Sequence, residues 1–472
     1  MMVDWKNLLN GARRKDKVKK KVTGKAQETR TEIERDYDRI LFSTPVRRLA
    51  DKTQVFPLER NDSVRNRLTH SHEVSNLARS LGVALAFDSK IVPEELIPQR
   101  NLPALLAATG LAHDLGNPPF GHQGEYAIQS WFKDNQSERK KWDDGSLNTA
   151  MKQDFLKFEG NAQTIRLVTR LQLINDDYGL NLTYATLAAL MKYPTGSDGV
   201  SGNGDVARKK HGFFQSEKEI VEEVWKETGL QEGIRHPLTF LMEACDDIAY
   251  AVLDAEDAVK KQLVSFSDLI SFLEHHGDKN NAIKTVCNNA CDKHKTYRSQ
   301  KLSPAELNEI SMQMFRVSAI GQMIRDVSAT FLKEKDIIMD EKFKTDLLSV
   351  SKSNKLCQVL KKFDKEHAYV NRGVLEVELV GYNTIRGLMD FLWDAITQRK
   401  NPDELNSRRN TPFASYAYNR ISENYRRVFE SDSNNMPVRY KEMQLLTDMV
   451  SGMTDSYAIS IYSELKQYNH EH

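Results

Sequence analysis

Cysteine is scarce in this chain of 472 residues: Cys245, Cys287, Cys291 and Cys357 are all there are, and no two form a CxxC pair. That excludes a disulfide framework and a cysteine-rich zinc site, and the four are expected as free thiols. An excess of either charge is missing too. Lys and Arg number 67 against 66 Asp and Glu, a formal net charge of +1, so no bulk field draws the chain onto nucleic acid or membrane. Long apolar runs are absent: the longest, Leu102 to Ala112, falls short of the roughly 20 residues a membrane-spanning helix needs. The N-terminal MMVDWKNLLNGARRKDK lacks an apolar core followed by a small-residue cleavage site, so no secretory leader and a cytoplasmic location are expected. There is no internal repeat.

What is present is helical periodicity. Apolar residues recur with the 3.6-residue spacing of amphipathic helices through most of the sequence, which predicts an all-α fold. Val374 to Gly381 (VLEVELVG) is the one segment with strand-like alternation, so at most a small β element is expected. Breaks rich in Gly, Pro, Ser, Asn or charge fall near Val92 to Pro103, Asp134 to Asn148, Pro194 to Lys210, Asn401 to Pro412 and Ser431 to Pro437. The stretch from Pro194 to Asp205 (PTGSDGVSGNGD) has too little apolar surface to offset its ordering entropy and reads as a disordered surface loop. A basic run from Arg13 to Lys25 suits either a solvated tail or contact with the phosphates of a nucleotide or single-stranded DNA.

One segment demands a chemical explanation. In LPALLAATGLAHDLGNPPFGHQGEY an apolar helix reaches His113 and Asp114 and then, after Leu115, a Gly-Asn-Pro-Pro breaker. A buried carboxylate costs several kcal/mol unless it is paired, and a divalent cation satisfies it and the imidazole together. Further ligands are on offer upstream, at His70 or His72 in NRLTHSHEVSNLARSLG, and downstream, at Asp246 or Asp247 in LMEACDDIAYAVLDAEDAV. Histidines and aspartates from three helices make a mixed nitrogen and oxygen site suited to Mn, Mg, Fe or similar ions. Asp246, Tyr250 and Asp254 recur every four residues, placing two carboxylates and an aromatic ring along one helix face. His122 and Glu125, three apart after the Pro-Pro turn, have the spacing of an acid/base dyad or of a helix-capping contact.

The order H…HD…D resembles the HD superfamily of metal-dependent phosphohydrolases, and the flanking blocks are similar to bacterial deoxyguanosine triphosphate triphosphohydrolases. Those blocks are KTQVFPLERN (Lys52 to Asn61), THS (Thr69 to Ser71), HDLGNPPFGHQGE (His113 to Glu125), FEGNAQ (Phe158 to Gln163), DDIAYAVLDAEDA (Asp246 to Ala258) and SGMTDSYA (Ser451 to Ala458). Lys261 to Tyr369 is the main region with nothing diagnostic. The resemblance implies His70, His113, Asp114 and Asp246 as metal ligands, with His72 and Asp247 outside the set. Manganese or magnesium is the expected ion, with iron, cobalt or nickel as alternatives. It implies attack of activated water on the α-phosphorus of a deoxynucleoside triphosphate, dGTP preferred, giving deoxynucleoside and tripolyphosphate. His122 then serves as acid/base or charge stabiliser, oriented by Glu125. Gln54 and Asp254 are implied at the sugar 3′-hydroxyl and Tyr250 against the ring. Arg67, Asn161 and Lys192 are implied near phosphates or nucleotide, and Tyr382 by the sugar or base. Arg426 and Arg427 are candidates for phosphate contacts across a subunit boundary.

The expected organisation is a basic N-terminal segment (1–35), an HD-type catalytic core (36–262) and a helical C-terminal region (263–472) completing the substrate site and an oligomer interface. Family likeness implies a homo-oligomer, with hexamers common. Two alternatives stay open: an HD phosphohydrolase for another nucleotide, and a nucleotide or single-stranded DNA sensor with little turnover.

Overall fold

The computed structural model describes residues 3–17, 28–59, 61–137, 140–172, 177–277 and 280–469. Among these the protein is all-α. No strand forms, and the only β pairing is three isolated bridges, Arg13 with Thr183, Thr53 with Asn66 and Arg399 with Arg409.

The helix Arg67–Asp88 begins where the sequence provides a reciprocal cap: the Asn66 side chain accepts from the Thr69 N–H, and the Thr69 hydroxyl accepts from the Asn66 N–H. It lies against the helix Pro98–Ala112 almost backbone to backbone. A Cβ on Gly82 or Gly110 would come within 2.8 Å of the Cα of Pro103 or Ser75, respectively. This contact explains why helix starts at Pro98 although prolines suggest a break as far as Pro103: Pro98 occupies a first-turn position that needs no N–H, and Pro103 is braced by Gly82. Across this pair runs the helix Pro237–Lys260, capped by the His236 side chain and buried along nearly its whole length. Its apolar residues, with those of Pro304–Met339 and Asn354–Phe363, build one hydrophobic core. A second core, around Trp131, Trp142, Phe155 and Tyr440, joins the helix Gly121–Asp134 to the C-terminal helices Arg372–Thr397, Val438–Ser451 and Asp455–Tyr468. The buried Arg166 guanidinium holds Asp448 at 2.7 Å and Glu217 at 3.0 Å, tying the C-terminal part to the middle of the chain.

Three expectations are corrected. Val374 to Gly381 is helical, inside Arg372–Thr397. Its alternation is too short to decide between periods, while Ile385, Leu388, Met389, Leu392 and Ile396 downstream bury one helical stripe, and helix propagates cooperatively from there to the Asn371 cap. The segment from Pro194 is not a disordered loop: residues Pro194 to Ser197 are buried, and of Pro194 to Asp205 only Asp198 and Gly202 to Gly204 are exposed. Its polar groups find partners, including Gly212 N–H to Thr195 O at 3.0 Å, Ser201 N–H to Arg208 O at 2.9 Å and Ser197 Oγ to Ala150 O at 2.9 Å. Hydrogen bonding supplies what apolar burial could not. The described part of the basic run, Arg13 to Lys17, is not a free tail: Arg14–Lys17 is a short helical turn pinned by ion pairs, with Asp16 and Lys17 exposed. Arg13 is buried against Asp36 at 2.6 Å and Glu32 at 2.7 Å, Arg14 meets Glu223, and Lys17 meets Glu223 and Glu227. The remainder, Val18 to Lys25, lies outside the described residues.

Candidate metal centre and active-site cleft

His113 is the C-cap of the helix Pro98–Ala112, and its Nδ1–H donates to the Gly110 carbonyl at 2.7 Å. That bond turns Nε2 toward the cleft, where it is buried with no hydrogen-bond partner. Asp246 Oδ1 lies 3.4 Å from His113 Nε2 and 3.2 Å from His70 Nε2, and Asp114 Oδ1 is 3.4 Å from His113 Nε2. One ligand atom each from His70, His113 and Asp246 falls within 4.8 Å of the others. The Asp114 carboxylate borders this trio, fixed by Arg67 on one oxygen and by the Asn117 amide at 2.8 Å on the other.

The electrostatics fit a cation. Burial disfavours a charged imidazole, yet Asp114 and Asp246 push His113 up to about 9. Burial would likewise raise both carboxyls, but Arg67 and His113 hold Asp114 down at about 2, and His113, His70 and Lys192 hold Asp246 well below the usual range. Two ionised aspartates facing a buried imidazole nitrogen are the donor set in which a divalent ion replaces a proton. The neighbouring alternatives are engaged differently. His72 is exposed and borders a separate groove with Ser75, Asn76 and Arg79. Asp247 receives Lys361 Nζ at 2.6 Å.

Beside the trio opens a cleft of about 680 Å³. His122 reaches into it with 87% of its side chain exposed, while Glu125 behind it is buried. Nδ1 of His122 lies 3.2 Å from Glu125 Oε2, and Glu125 Oε1 accepts from the Gly160 N–H at 2.8 Å. Glu125 raises the pKa of His122. Burial pushes the Glu125 carboxyl up, but His122, Lys210 and the Gly160 N–H outweigh it and keep it ionised. The capping alternative for this pair does not apply: the helix Gly121–Asp134 has no side-chain cap.

Cations from four parts of the chain line the same cleft: Arg67, Lys192, Lys210, and the pair Lys361 and Lys365. Lys192 Nζ stands 3.5 Å from Asp246 Oδ2, and Lys210 pairs with the buried Glu159, whose other oxygen accepts from the Asn161 amide at 3.1 Å. Gln54 also lines it, and its Oε1 is buried without a partner. Tyr250 stands in the wall with Tyr369, their ring centroids 6.2 Å apart. Asp254 lies behind them, 2% exposed, and accepts from the Tyr369 hydroxyl at 2.6 Å. Burial pushes its carboxyl well up against that bond. Tyr382 is not among the lining residues. It stacks on Tyr126 at 5.7 Å, one helical turn beyond Glu378, which does line the cleft. Arg426 and Arg427 stand away from it, bonded to Asn419 at 3.1 Å and to Glu423 at 2.6 Å.

Several lining residues carry no sequence signal of their own. Tyr193 and Lys210 flank a segment read as flexible, and Lys361, Lys365 and Tyr369 fall in the undiagnostic stretch. Lys361 and Lys365, four apart, leave the face of the helix Asn354–Phe363 as it loosens into a π turn at Asp364–Ala368, a distortion common at functional sites.

A histidine, a His-Asp pair ending one helix and an aspartate on a central helix, all in a helical frame, define an HD-type centre, and residues 67–145 match the family model described as HD domain. Over nearly its whole length the chain is similar to curated relatives. A deoxyguanosinetriphosphate triphosphohydrolase-like protein of Listeria monocytogenes is 36% identical over 98% of this chain and 99% of its own. One from Synechocystis is 33% identical over 98% and 99%. The deoxyguanosinetriphosphate triphosphohydrolase of Salmonella arizonae is 34% identical over 92% of this chain and 93% of its own. The chain belongs to the deoxyguanosinetriphosphate triphosphohydrolase family of HD-domain phosphohydrolases. No helix of the described residues is long and apolar enough to cross a membrane.

Proposed function

We propose that this protein is a metal-dependent deoxynucleoside triphosphohydrolase that prefers dGTP and releases deoxynucleoside and tripolyphosphate. The observation that carries the reading is the placement of five cationic side chains and the His122–Glu125 dyad in one cleft with His113, Asp114 and Asp246. Its volume of about 680 Å³ suits a nucleotide-sized ligand. A divalent cation held by His70, His113, Asp114 and Asp246 supplies Lewis acidity, neutralising charge on the α-phosphate and making water more acidic.

The chain's own groups do the rest. Arg67, Lys192, Lys210, Lys361 and Lys365 bind and orient the triphosphate, which carries more negative charge than any single cation offsets. Hydrolysis joins a water oxygen to the α-phosphorus and breaks the bond from that phosphorus to O5′. The departing 5′-oxygen needs a proton, and His122, whose protonated form Glu125 favours, is the donor in reach of the cleft; the proton given up by the attacking water restores the ring through solvent. Gln54 offers its unpaired carbonyl oxygen to a sugar hydroxyl, and Tyr250 packs on the deoxyribose.

The test is product identity. Purified protein is incubated with Mn²⁺ or Mg²⁺ and each dNTP, and products are resolved by ion exchange. Tripolyphosphate with deoxynucleoside is the expected pair; orthophosphate, pyrophosphate or no turnover with any dNTP sinks the proposal.

Base preference has its own support. Glu378 lines the cleft, half-buried, with the Gln123 amide 3.4 Å from its Oε2. Guanine is the base that presents two adjacent donors, N1–H and the N2 amino group, and a carboxylate accepts both. Glu378→Gln is expected to lower kcat/KM for dGTP relative to dATP by about 10- to 100-fold, the value of one good bidentate contact. An unchanged ratio in competition assays places base selection elsewhere.

A further inference from the structure

Two sequence blocks with no side chain of their own in the reaction, Lys52–Thr53 and Ser451–Asp455, meet beside the cleft although Thr53 and Asp455 are 402 positions apart. Asp455 opens the last helix and is 2% exposed. Its two oxygens are divided between two loops. Oδ2 accepts from the Thr53 N–H at 3.0 Å and from the Thr53 hydroxyl; Oδ1 accepts from the Phe120 N–H at 2.9 Å. Lys52 reinforces the junction, its Nζ donating to Ser451 O at 2.8 Å and to Asn117 O at 2.6 Å.

Both loops carry cleft side chains. Thr53 precedes Gln54, and its carbonyl accepts from Arg67 Nε at 3.1 Å, so this loop bears one cleft residue and braces another. Phe120 and Gly121 have φ of 61° and 56°. These consecutive left-handed residues start the helix that presents His122 and Glu125. A phenylalanine stays in that region only where its surroundings fix it. One face of Phe120 meets Gly381, where an added Cβ would lie 2.4 Å from the ring, and its N–H is held by Asp455.

We propose that Asp455 is a positioning residue for the cleft, a clamp from the C-terminal end of the chain that sets the Gln54 loop against the His122 turn. What the clamp serves rests on the dNTP hydrolase reading; the clamp itself does not.

The test compares full-length wild type, Asp455→Ala and Asp455→Asn by hydrogen exchange with mass spectrometry, by Mn²⁺ titration calorimetry and by dGTP kinetics. In Asp455→Ala, exchange is expected to speed up by about tenfold or more in the peptides containing Thr53 and Phe120 together. The helices Arg67–Asp88 and Pro237–Lys260 keep wild-type exchange, and Mn²⁺ affinity stays within about twofold. kcat falls by about tenfold or more, as expected when a reacting group is misplaced. Asp455→Asn keeps one acceptor oxygen, so it protects one of the two segments and restores part of kcat. The proposal is overturned by wild-type exchange in both segments, by loss of protection spread over the whole chain, or by an unchanged kcat. If Asp455→Ala does not fold, Thr53→Val decides: it removes the hydroxyl bond alone, and faster exchange of Thr53 without change at Phe120 refutes the coupling. A wild type inactive on every dNTP removes the proposed function, while the exchange result still decides the clamp.

Discussion

Asp246→Ala is expected to cut dNTP hydrolysis by more than about 100-fold, beyond what loss of an outer-shell partner of a metal ligand costs, and to remove Mn²⁺ binding measured by calorimetry. The reason is its central position. Asp246 is the one residue whose carboxylate faces both His70, at 3.2 Å, and His113, at 3.4 Å. Without it two buried imidazoles face each other, and the remaining carboxylate, Asp114, is already engaged by Arg67 and Asn117. Lys192, 3.5 Å from Asp246, then stands as a half-buried, uncompensated cation next to a site that must hold another. His72→Ala is the matched control, because His72 is exposed on a different groove. Turnover and metal affinity are expected near wild type. Equal losses in both variants would falsify the ligand set.

These ligands show what a sequence reveals readily. The His113–Asp114 pair was legible because an apolar helix ending on two polar residues is energetically odd, and the Asp246–Asp247 pair because an apolar helix carrying Asp, Tyr and Asp at four-residue spacing is odder still; the resemblance alone chose Asp246. In both cases local pattern and burial conflict, and the conflict marks the site. Choosing His70 over His72 was beyond local pattern, since both sit in the first turns of one helix; the resemblance chose His70, which lies 3.2 Å from Asp246 while His72 is exposed. Lys210 and Lys361 were hidden for another reason. A lysine is ordinary on any helix or loop surface, and only the fold reveals that these two converge on Glu159 and Asp247 within the cleft. The segment Val374 to Gly381 misled because eight residues of alternation are outweighed by the helix they extend. The Asp455 junction could not be read locally: it joins Thr53 to a residue 402 positions away, and neither Lys52, Thr53 nor Asp455 had any chemistry assigned to it in the sequence.

The dyad gives the second large effect and a pH signature that separates it from the metal centre. His122→Ala is expected to lower kcat by about 10²- to 10⁴-fold, the usual contribution of a positioned acid or base, with Mn²⁺ affinity unchanged because His122 is not in the ligand trio. Glu125→Gln tests the electrostatics. The Glu125 hydrogen bond and charge favour the protonated ring, so the pKa of His122 lies above the ordinary value of 6.5. If the protonated ring is the working form, activity is full below that raised pKa and falls as pH rises through it. An amide at position 125 removes the stabilising charge, and Lys210 and Arg67 now repel the imidazolium without compensation. The alkaline limb of the kcat profile is therefore expected to move to lower pH, leaving the acid side of the profile in place. A limb that stays where it was, with only the amplitude reduced, assigns Glu125 to holding the Gly160 backbone and not to setting the protonation of His122. A limb that moves to higher pH contradicts the acid role outright, because no change that removes a negative charge beside an imidazole strengthens its hold on a proton.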